Sequence, residues 1–510
     1  MRAHTLQCLA AAAAALLYGS QVVAEDPKAV FAHYMVGTIN EDHVHQDVDD
    51  AAAMGLDGFA LNMGSPLEPF SRAVFDYMFD YTRDNHPDFK LFISMDLWSA
   101  KNLSDFDQFF TDFLAHDAYY KGPNGFPFVS TYGNGGFSKE TWQDWKNRWA
   151  DKLYFVPDFA GMAGTDDSSP EWWEDWGDIV DGLFSWESVW PVQNQTNTLS
   201  IAADDKHMAA ASQNNKTYMI GLSMLQYKNS YGANLYRAGE ENLSNRIHNI
   251  LNMTTKPAFA QLLTWNDGPE SHYIGTIWPE QNNDTIPSVY ASQSAASHTG
   301  IQSVLTSFID AYKKDLPSPD MQPQEDKQAV GALWYKPILS NTVCANEMSG
   351  ELHDAKPDGY EVAADVSAWA VVVAADAEAD DLTLRGYSGG EKLGEVALVP
   401  GLNFGNFSTL KEGKQCMEVR NGQGRLVLVA SGGRDVTSDC PDGIFNLNPQ
   451  ILELGEDVSQ GGCTGGDDDG DASGSGDGDG EESWGVRGTM LDKWRLVAAL
   501  MVSSAVVWLW

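Results

Sequence analysis

Two carboxylates three residues apart stand in Leu263-Thr264-Trp265-Asn266-Asp267-Gly268-Pro269-Glu270-Ser271-His272, where an apolar run breaks into acids flanked by an indole, an amide and an imidazole. Cleaving a glycosidic bond requires one carboxylic acid to protonate the leaving oxygen and a second carboxylate to act as base or nucleophile. Asp267 and Glu270 are candidates for that pair. The same residues also make an ordinary turn, since Gly is free to take positive φ and Pro fixes its own φ. The elements that hold the turn decide between the two.

Short apolar runs recur at residues 30–37, 57–64, 89–96, 127–134, 153–161, 182–188, 218–225 and 259–267. Helical patterns lie between them: Phe70, Val74 and Met78 share one face, and Trp142, Trp145 and Trp149 share another behind Ser138 as N-cap. Eight alternations of strand and helix predict an α/β chain built as a (β/α)8 barrel over residues 25–330, with 302–314 as its eighth helix and 282–297 as a surface insertion. From about Val330 the segments 362–366, 368–375, 381–385 and 425–430 are short and β-branched or alternating, separated by Gly and Asp turns. They predict a smaller antiparallel β-sandwich over 331–458, acting as a buttress or as a sugar-binding module.

Barrel enzymes work at the C-terminal ends of their strands, and here each apolar run closes on polar or aromatic residues. Tyr34 with His33, Asn62, Asp96 with Trp98, Tyr132 with Asn134, Asp158, Trp186 with Glu187, Ser223 with Gln226, and Trp265 with Asp267 and Glu270 follow in order. Five carboxylates, Asp96, Asp158, Glu187, Asp267 and Glu270, would share one mouth. Mutual repulsion and burial there raise at least one pKa, as a general acid near neutral pH needs. Competing chemistries lack their signatures in the predicted barrel: residues 25–330 hold no HExxH helix, no GxSxG elbow, no Gly-rich phosphate loop and no Cys. His43 and His45, two apart on a predicted helix, do not share a face and are assigned to the surface.

The formal net charge of −40 over 510 residues excludes a polyanion as partner, because nucleic-acid affinity comes largely from Lys and Arg. An apolar run at 9–17 followed by Val22-Val23-Ala24 reads as a secretory signal, residues 1–24. Sequons at Asn102, Asn194, Asn215, Asn242, Asn252, Asn283 and Asn406 suit that route if exposed. Cys344, Cys416, Cys440 and Cys463 can form two disulfides in any of three pairings. Residues 459–483 form an acidic Gly/Ser/Asp stalk, and 484–510 match a signal for a glycosylphosphatidylinositol anchor, with Ser483 as attachment site. A tail anchor is the other reading of that apolar end.

The stretches 32–37, 55–62, 154–159, 184–191, 231–240 and 264–271 together resemble glycoside hydrolase family 71, the fungal endo-1,3-α-glucanases or mutanases. The resemblance implies a barrel with an appended sandwich and hydrolysis of internal α-1,3-glucosidic bonds of wall glucan or mutan with inversion. It makes Asp267 and Glu270 the catalytic pair, which inversion would hold with carboxyl groups about 6.5 to 9.5 Å apart; Asp267 is assigned as base and Glu270 as acid, and the reverse division stays open. Tyr34, Asn62, Asp96, Tyr132, Asp158, Trp186, Glu187 and Trp265 become candidates for holding glucose units, with no metal or organic cofactor. The expected partner is α-1,3-glucan, and the expected state is an extracellular monomer in the cell wall, on the outer leaflet of the plasma membrane, or both, with any membrane attachment through lipid alone. The alternatives are a glycosidase or transglycosylase for another α-glucan, and a non-catalytic wall-binding protein on the same scaffold.

Overall fold

A computed structural model describes residues 28–149, 153–159, 168–195, 200–282, 286–324, 327–375, 381–459 and 461–463. The signal, most of the stalk and the anchor signal lie outside these residues.

Strands β1 (Ala29–Met35), β2 (Gly58–Met63), β3 (Lys90–Asp96), β4 (Phe128–Tyr132), β5 (Tyr154–Pro157), β6 (Gly182–Phe184) and β7 (Thr217–Leu222) fall inside the first seven predicted runs, within a residue at their starts. A hairpin of β8 (Gln226–Ser230) and β9 (Ala233–Arg237) follows, then β10 (Phe259–Leu262), the eighth run. The parallel order is β5-β4-β3-β2-β1-β10-β7-β6. A parallel bridge from Asp158 to Phe184 joins the two ends and closes the barrel.

The wrapping helices are α1 (Glu41–Ala53), α2 (Pro69–Asn85), α3 (Asp107–Phe113), α4 (Lys139–Arg148), α5 (Pro170–Trp176), α6 (Ala202–Gln213), α7 (Asn242–Leu251), the short α8 (Pro287–Tyr290) and α9 (Gln302–Lys313). Ser138 caps α4 by accepting from the Thr141 N–H, and Trp142 and Trp145 of that helix are buried. Their stripe is packing, as the spacing predicted.

Inside the barrel, rings from strands that are not neighbours meet. Phe128 of β4 lies 5.2 Å from Phe259 of β10, and Phe31 of β1 lies 5.0 Å from Phe92 of β3. Such contacts are possible only across the lumen, so they identify the inward face of each strand. By period-2 alternation, Phe31, His33 and Met35 point inward on β1, and Phe92, Ser94 and Asp96 do so on β3.

After the barrel come β11 (Ala329–Tyr335), β12 (Val366–Val373), β13 (Thr383–Ser388), β14 (Glu391–Ala397), β15 (Gly401–Ser408), β16 (Gln415–Arg420), β17 (Leu426–Ser431) and β18 (Gln450–Leu454). They form two four-stranded antiparallel sheets, β15-β12-β11-β18 and β14-β13-β16-β17, the predicted sandwich. The segment expected as a strand at 362–366 instead begins with a 3-10 turn, Tyr360–Val362.

The two central strands of the first sheet, β11 and β12, are buried on both faces. Val330, Ala332, Trp334, Ala368, Ala370 and Val372 join the barrel's core, while Ala329, Leu333, Tyr335, Trp369, Val371 and Val373 fill the sandwich. Disulfides pair Cys344 with Cys440 and Cys416 with Cys463.

Three expectations need correction. Residues 286–297 are not purely a surface insertion: Ser288, Val289 and Ser294 are exposed, but Tyr290 and Ala291 are fully buried, and Tyr290 Oη reaches Pro269 O at 2.8 Å and Ser230 Oγ at 3.0 Å. His43 and His45 are half-buried, stacked at 3.9 Å on Trp278 and on Tyr81. Asn242 is buried and its amide donates to Val189 O and Ser223 O, so its sequon is closed to glycosylation in the folded chain. The asparagines at 102, 194, 215, 252 and 406 are exposed.

Candidate active site

The loop after β10 carries both acids. Asp267 N–H donates to Thr264 Oγ1 at 2.9 Å, and Glu270 N–H donates to Asp267 Oδ1 at 3.1 Å, which fixes the turn through its own side chains. Ser271 takes the left-handed region, φ 61°, and beyond it His272 turns back so that its Nε2 sits 3.1 Å from Glu270 Oε2. One donor atom from each of Asp267, Glu270 and His272 lies within 4.8 Å of the others. That trio could present ligands to a cation, but an ammonium already occupies Glu270.

The ammonium belongs to Lys228, 3.0 Å from Glu270 Oε1, and Gln226 Nε2 donates to Glu270 Oε2 at 2.6 Å. Both come from β8, so a hairpin outside the barrel sheet grips one acid. Sequence reasoning singled out Gln226 and passed over Lys228. In the structure Tyr231 and Gly232 take φ 53° and 76°, a pair of positive angles that suits a two-residue hairpin turn, but Tyr-Gly is not a dipeptide that marks such a turn in sequence.

These neighbours drive the two acids apart. Asp267 is buried, and its pKa rises to about 6 by desolvation first and repulsion from Glu270 second, with His272 and Lys228 pulling the other way. Burial also acts to raise Glu270, but the hydrogen bond from His272, the Lys228 charge and the Gln226 amide outweigh it and hold the carboxyl well below the ordinary range. Burial and repulsion thus favour the protonated form of Asp267, and the donors around Glu270 favour its ionised form.

Around them Asp96 is buried at the end of β3, its carboxylate accepting from the Trp98 and Ser99 N–H groups at 3.0 and 3.2 Å. Desolvation raises its pKa to about 6 against those bonds. Tyr132 is shifted upward by burial and then by Glu270, Asp158, Asp96 and Glu187, so all four carboxylates lie within electrostatic reach of its hydroxyl. Trp186 packs edge-on to His33 at 4.9 Å and to Tyr132 at 4.8 Å and lies 5.9 Å from His272, forming a wall. Burial, and then His272, push the pKa of His33 down to about 3, so it is neutral. Asn62 is buried with its Oδ1 unpaired, and by strand parity it faces the lumen. Glu187 is the exposed member, paired with Arg237 of β9 at 2.7 Å.

Two predicted sugar contacts do not reach the mouth. Tyr34 is fully buried on the outward face of β1, donating to Asp47 Oδ2 of α1 at 2.9 Å. Trp265 is also fully buried, 5.2 Å from Phe59, and Gly275 packs so closely on its indole that a Cβ there would lie 2.4 Å from the ring. Both belong to the layer between barrel and helices. His33, one residue earlier, takes the inward position expected of Tyr34.

The sequence profile of glycosyl hydrolase family 71 matches residues 26–461. A mutanase of Penicillium rubens is 26% identical over 480 residues, 91% of this chain and 96% of that protein. Two Schizosaccharomyces pombe proteins are also similar: a glucan endo-1,3-alpha-glucosidase at 28% over 63% of this chain and 74% of its own length, and an ascus wall endo-1,3-alpha-glucanase at 25% over 82% and 96%. With a barrel whose mouth carries paired carboxylates and a profile match along most of its length, the chain belongs to glycosyl hydrolase family 71.

Proposed function

We propose that the protein is an endo-1,3-α-glucanase that hydrolyses α-1,3-glucan as a monomer with no metal or organic cofactor, using Asp267 and Glu270. The observation that carries the reading is the placement of two acids on one loop at the barrel mouth, Glu270 gripped by Lys228, Gln226 and His272 while Asp267 is buried without a cation of its own among the described residues, in a chain whose relatives are named for this activity.

That placement favours the reverse of the roles expected from sequence. Asp267, whose protonated form burial and repulsion favour, is the general acid that protonates the departing glycosidic oxygen. Glu270, kept ionised, is the base. Its three donors fill three of about four lone-pair positions on a carboxylate, leaving one to hold a water. This suits proton removal from water, and hence inversion, better than direct attack on the anomeric carbon. Asn62, Asp96, Tyr132, Asp158, Trp186 and Glu187 are proposed to orient the sugars, joined by Trp98, exposed at 69% beside Asp96.

Retention is the second reading, and one observation favours it. An oxygen of Asp267 and one of Glu270 lie within 4.8 Å, closer than the roughly 6.5 Å at which inverting pairs begin. NMR of the first-formed anomer decides: the β-anomer from an α-linked glucan supports inversion, and the α-anomer removes it. Activity on α-1,3-glucan, with none on β-1,3-glucan or starch, is the expected substrate profile; cleavage of starch alone would refute it.

The same reading puts the chain outside the cell, secreted through residues 1–24 and held by a lipid anchor near Ser483. Among the described residues no helix is long and apolar enough to cross a membrane. Release of the native protein from membranes by a phospholipase that cleaves such anchors is expected; retention after complete digestion would refute the anchor.

A further inference from the structure

We infer that the β8–β9 hairpin is a strut through which the second domain sets the geometry of the acid pair, with Lys228 as its positioning residue. The inference rests on the assignment of Glu270 to catalysis. Alternation along β8 divides its work. Gln226 and Lys228 turn toward Glu270, at 2.6 and 3.0 Å. Tyr227 and Asn229, on the opposite face, turn toward the second domain: Tyr227 Oη donates to Phe445 O at 3.0 Å, and Asn229 Nδ2 donates to His353 O at 2.9 Å.

The return strand is held in the same way. Asn234 Nδ2 of β9 donates to Leu352 O and Ala355 O at 2.9 and 2.8 Å, and Tyr236 N–H donates to Asp358 O at 2.8 Å. Just beyond β9, the largely buried carboxylate of Glu240 receives Lys336 Nζ, Tyr236 Oη at 2.9 Å and the Ala364 N–H at 2.9 Å. Residues 336, 352–358, 364 and 445 all follow the barrel in sequence, so the hairpin spans from the second domain to the reacting centre. A strand pair alone is marginal in water, and these bonds supply what it lacks.

The charged and titratable groups facing Glu270 are Lys228 from β8, Asp267 and His272 from its own loop, Tyr132 from β4 and Tyr290 from α8. Only Lys228 among them is a permanent cation. Removing it leaves two neighbouring carboxylates with His272 alone to offset them, so both acids bind protons more tightly.

The test uses the full chain and soluble α-1,3-linked glucan oligosaccharides. Lys228→Met is expected to lower kcat about 10²-fold by misplacing Glu270, with KM within about twofold. The whole kcat–pH bell should move to higher pH by about one unit, the scale of losing one close opposite charge. Lys228→Arg should restore the position of the bell. Asn229→Ala combined with Asn234→Ala should move it in the same direction by less.

A purely structural role would lower the unfolding temperature and the amplitude of the bell without moving its limbs. An unmoved bell in Lys228→Met, or in Lys228→Gln should the Met variant not fold, overturns the role of Lys228. An unmoved bell in the double Asn variant overturns the link to the second domain. The two failures separate cleanly: full activity in Glu270→Gln would refute the catalytic assignment itself, whereas an inactive Glu270→Gln beside an unmoved Lys228→Met profile refutes this inference alone.

Discussion

The floor of the barrel and its mouth are built from the same strands, and the inward face of each strand changes character as it rises. On β3 the inward series is Phe92, Ser94, Asp96; on β4 it is Phe128, Ser130, Tyr132; on β5 it is Tyr154, Val156, Asp158. At the floor, Phe31, Phe92, Phe128, Phe259 and Tyr120 meet with centroids 4.7 to 6.4 Å apart and exclude water. At the mouth, Asp96 and Asp267 are buried and Glu270 is mostly so, with Asp267 close enough to perturb Asp96 and to be perturbed by Glu270. Burial stabilises the first group through the hydrophobic effect and destabilises the second through lost hydration. Stability and chemistry are thus separated by only two or four residues along a strand, and substitutions at the two levels should have opposite signatures.

The largest effect belongs to the mouth. Asp267→Asn and Glu270→Gln are each expected to lower kcat by about 10² to 10⁴-fold. Their unfolding midpoints should diverge: Asp267→Asn relieves repulsion and rises, whereas Glu270→Gln leaves Lys228 without its counter-charge and falls. An activated substrate then separates the roles, because a glycosyl fluoride needs no proton on its leaving group. Asp267→Asn should retain most of its activity on the α-fluoride of a 1,3-linked glucan oligosaccharide, and Glu270→Gln should not. The converse result would restore the roles expected from sequence.

At the floor the signature reverses. Phe128→Ala empties a site touched by rings from β1, β3, β5 and β10, and is expected to cost about 3 to 5 kcal/mol of stability. Its kcat below the new unfolding transition should stay within a few-fold of wild type. Denaturant unfolding with a parallel assay at low temperature checks both; lost activity in a fully folded sample would show that the floor also shapes the mouth.

The same two levels explain what could be read from sequence. All eight barrel strands were legible as apolar runs, and the acid pair at the end of the last run was legible by residue type. Which residues of a run face the lumen was not. A strand of a parallel barrel is buried on both faces and carries no alternation to read, so Tyr34 was expected where His33 stands. Trp265 was misjudged for a related reason, since an aromatic beside a catalytic acid looks like a sugar platform until Gly275 is seen packed on its ring. The hairpin's Gln226-Tyr-Lys-Asn-Ser and Ala233-Asn-Leu-Tyr-Arg are too polar to register as barrel strands. The grip of Lys228 on a residue 42 positions later exists only in three dimensions.

Asp96 tests the boundary between the two levels. Its raised pKa means that the folded chain holds a proton the unfolded chain releases between about pH 4 and pH 6. The stabilisation is complete below the lower value and lost as pH rises through the upper one. Asp96→Asn keeps an oxygen to accept from the Trp98 and Ser99 N–H groups and carries no charge. It is expected to be about 2 kcal/mol more stable than wild type at pH 7, the advantage shrinking to nothing near pH 4. Thermal unfolding at both pH values checks it; an equal advantage at the two would mean that packing rather than charge is responsible.

Trp98 gives the smallest and most selective effect. It is the exposed tryptophan among the described residues, in contrast with Trp142, Trp145 and Trp265, which are buried in packing layers. Its backbone is anchored on Asp96, and Lys101 Nζ donates to its carbonyl at 2.9 Å, so the ring projects from a fixed base. An indole so exposed contributes little to folding, and Trp98→Ala should leave the unfolding midpoint within about 0.5 kcal/mol of wild type. A sugar ring lying on it would lose about 1 kcal/mol of contact, roughly a fivefold rise in KM with kcat unchanged, because the contact is the same in ground and transition states. Oligosaccharides long enough to reach the ring should show the rise and shorter ones should not. An equal change for every chain length would place Trp98 at the cleavage point itself, and no change would leave it outside the binding cleft.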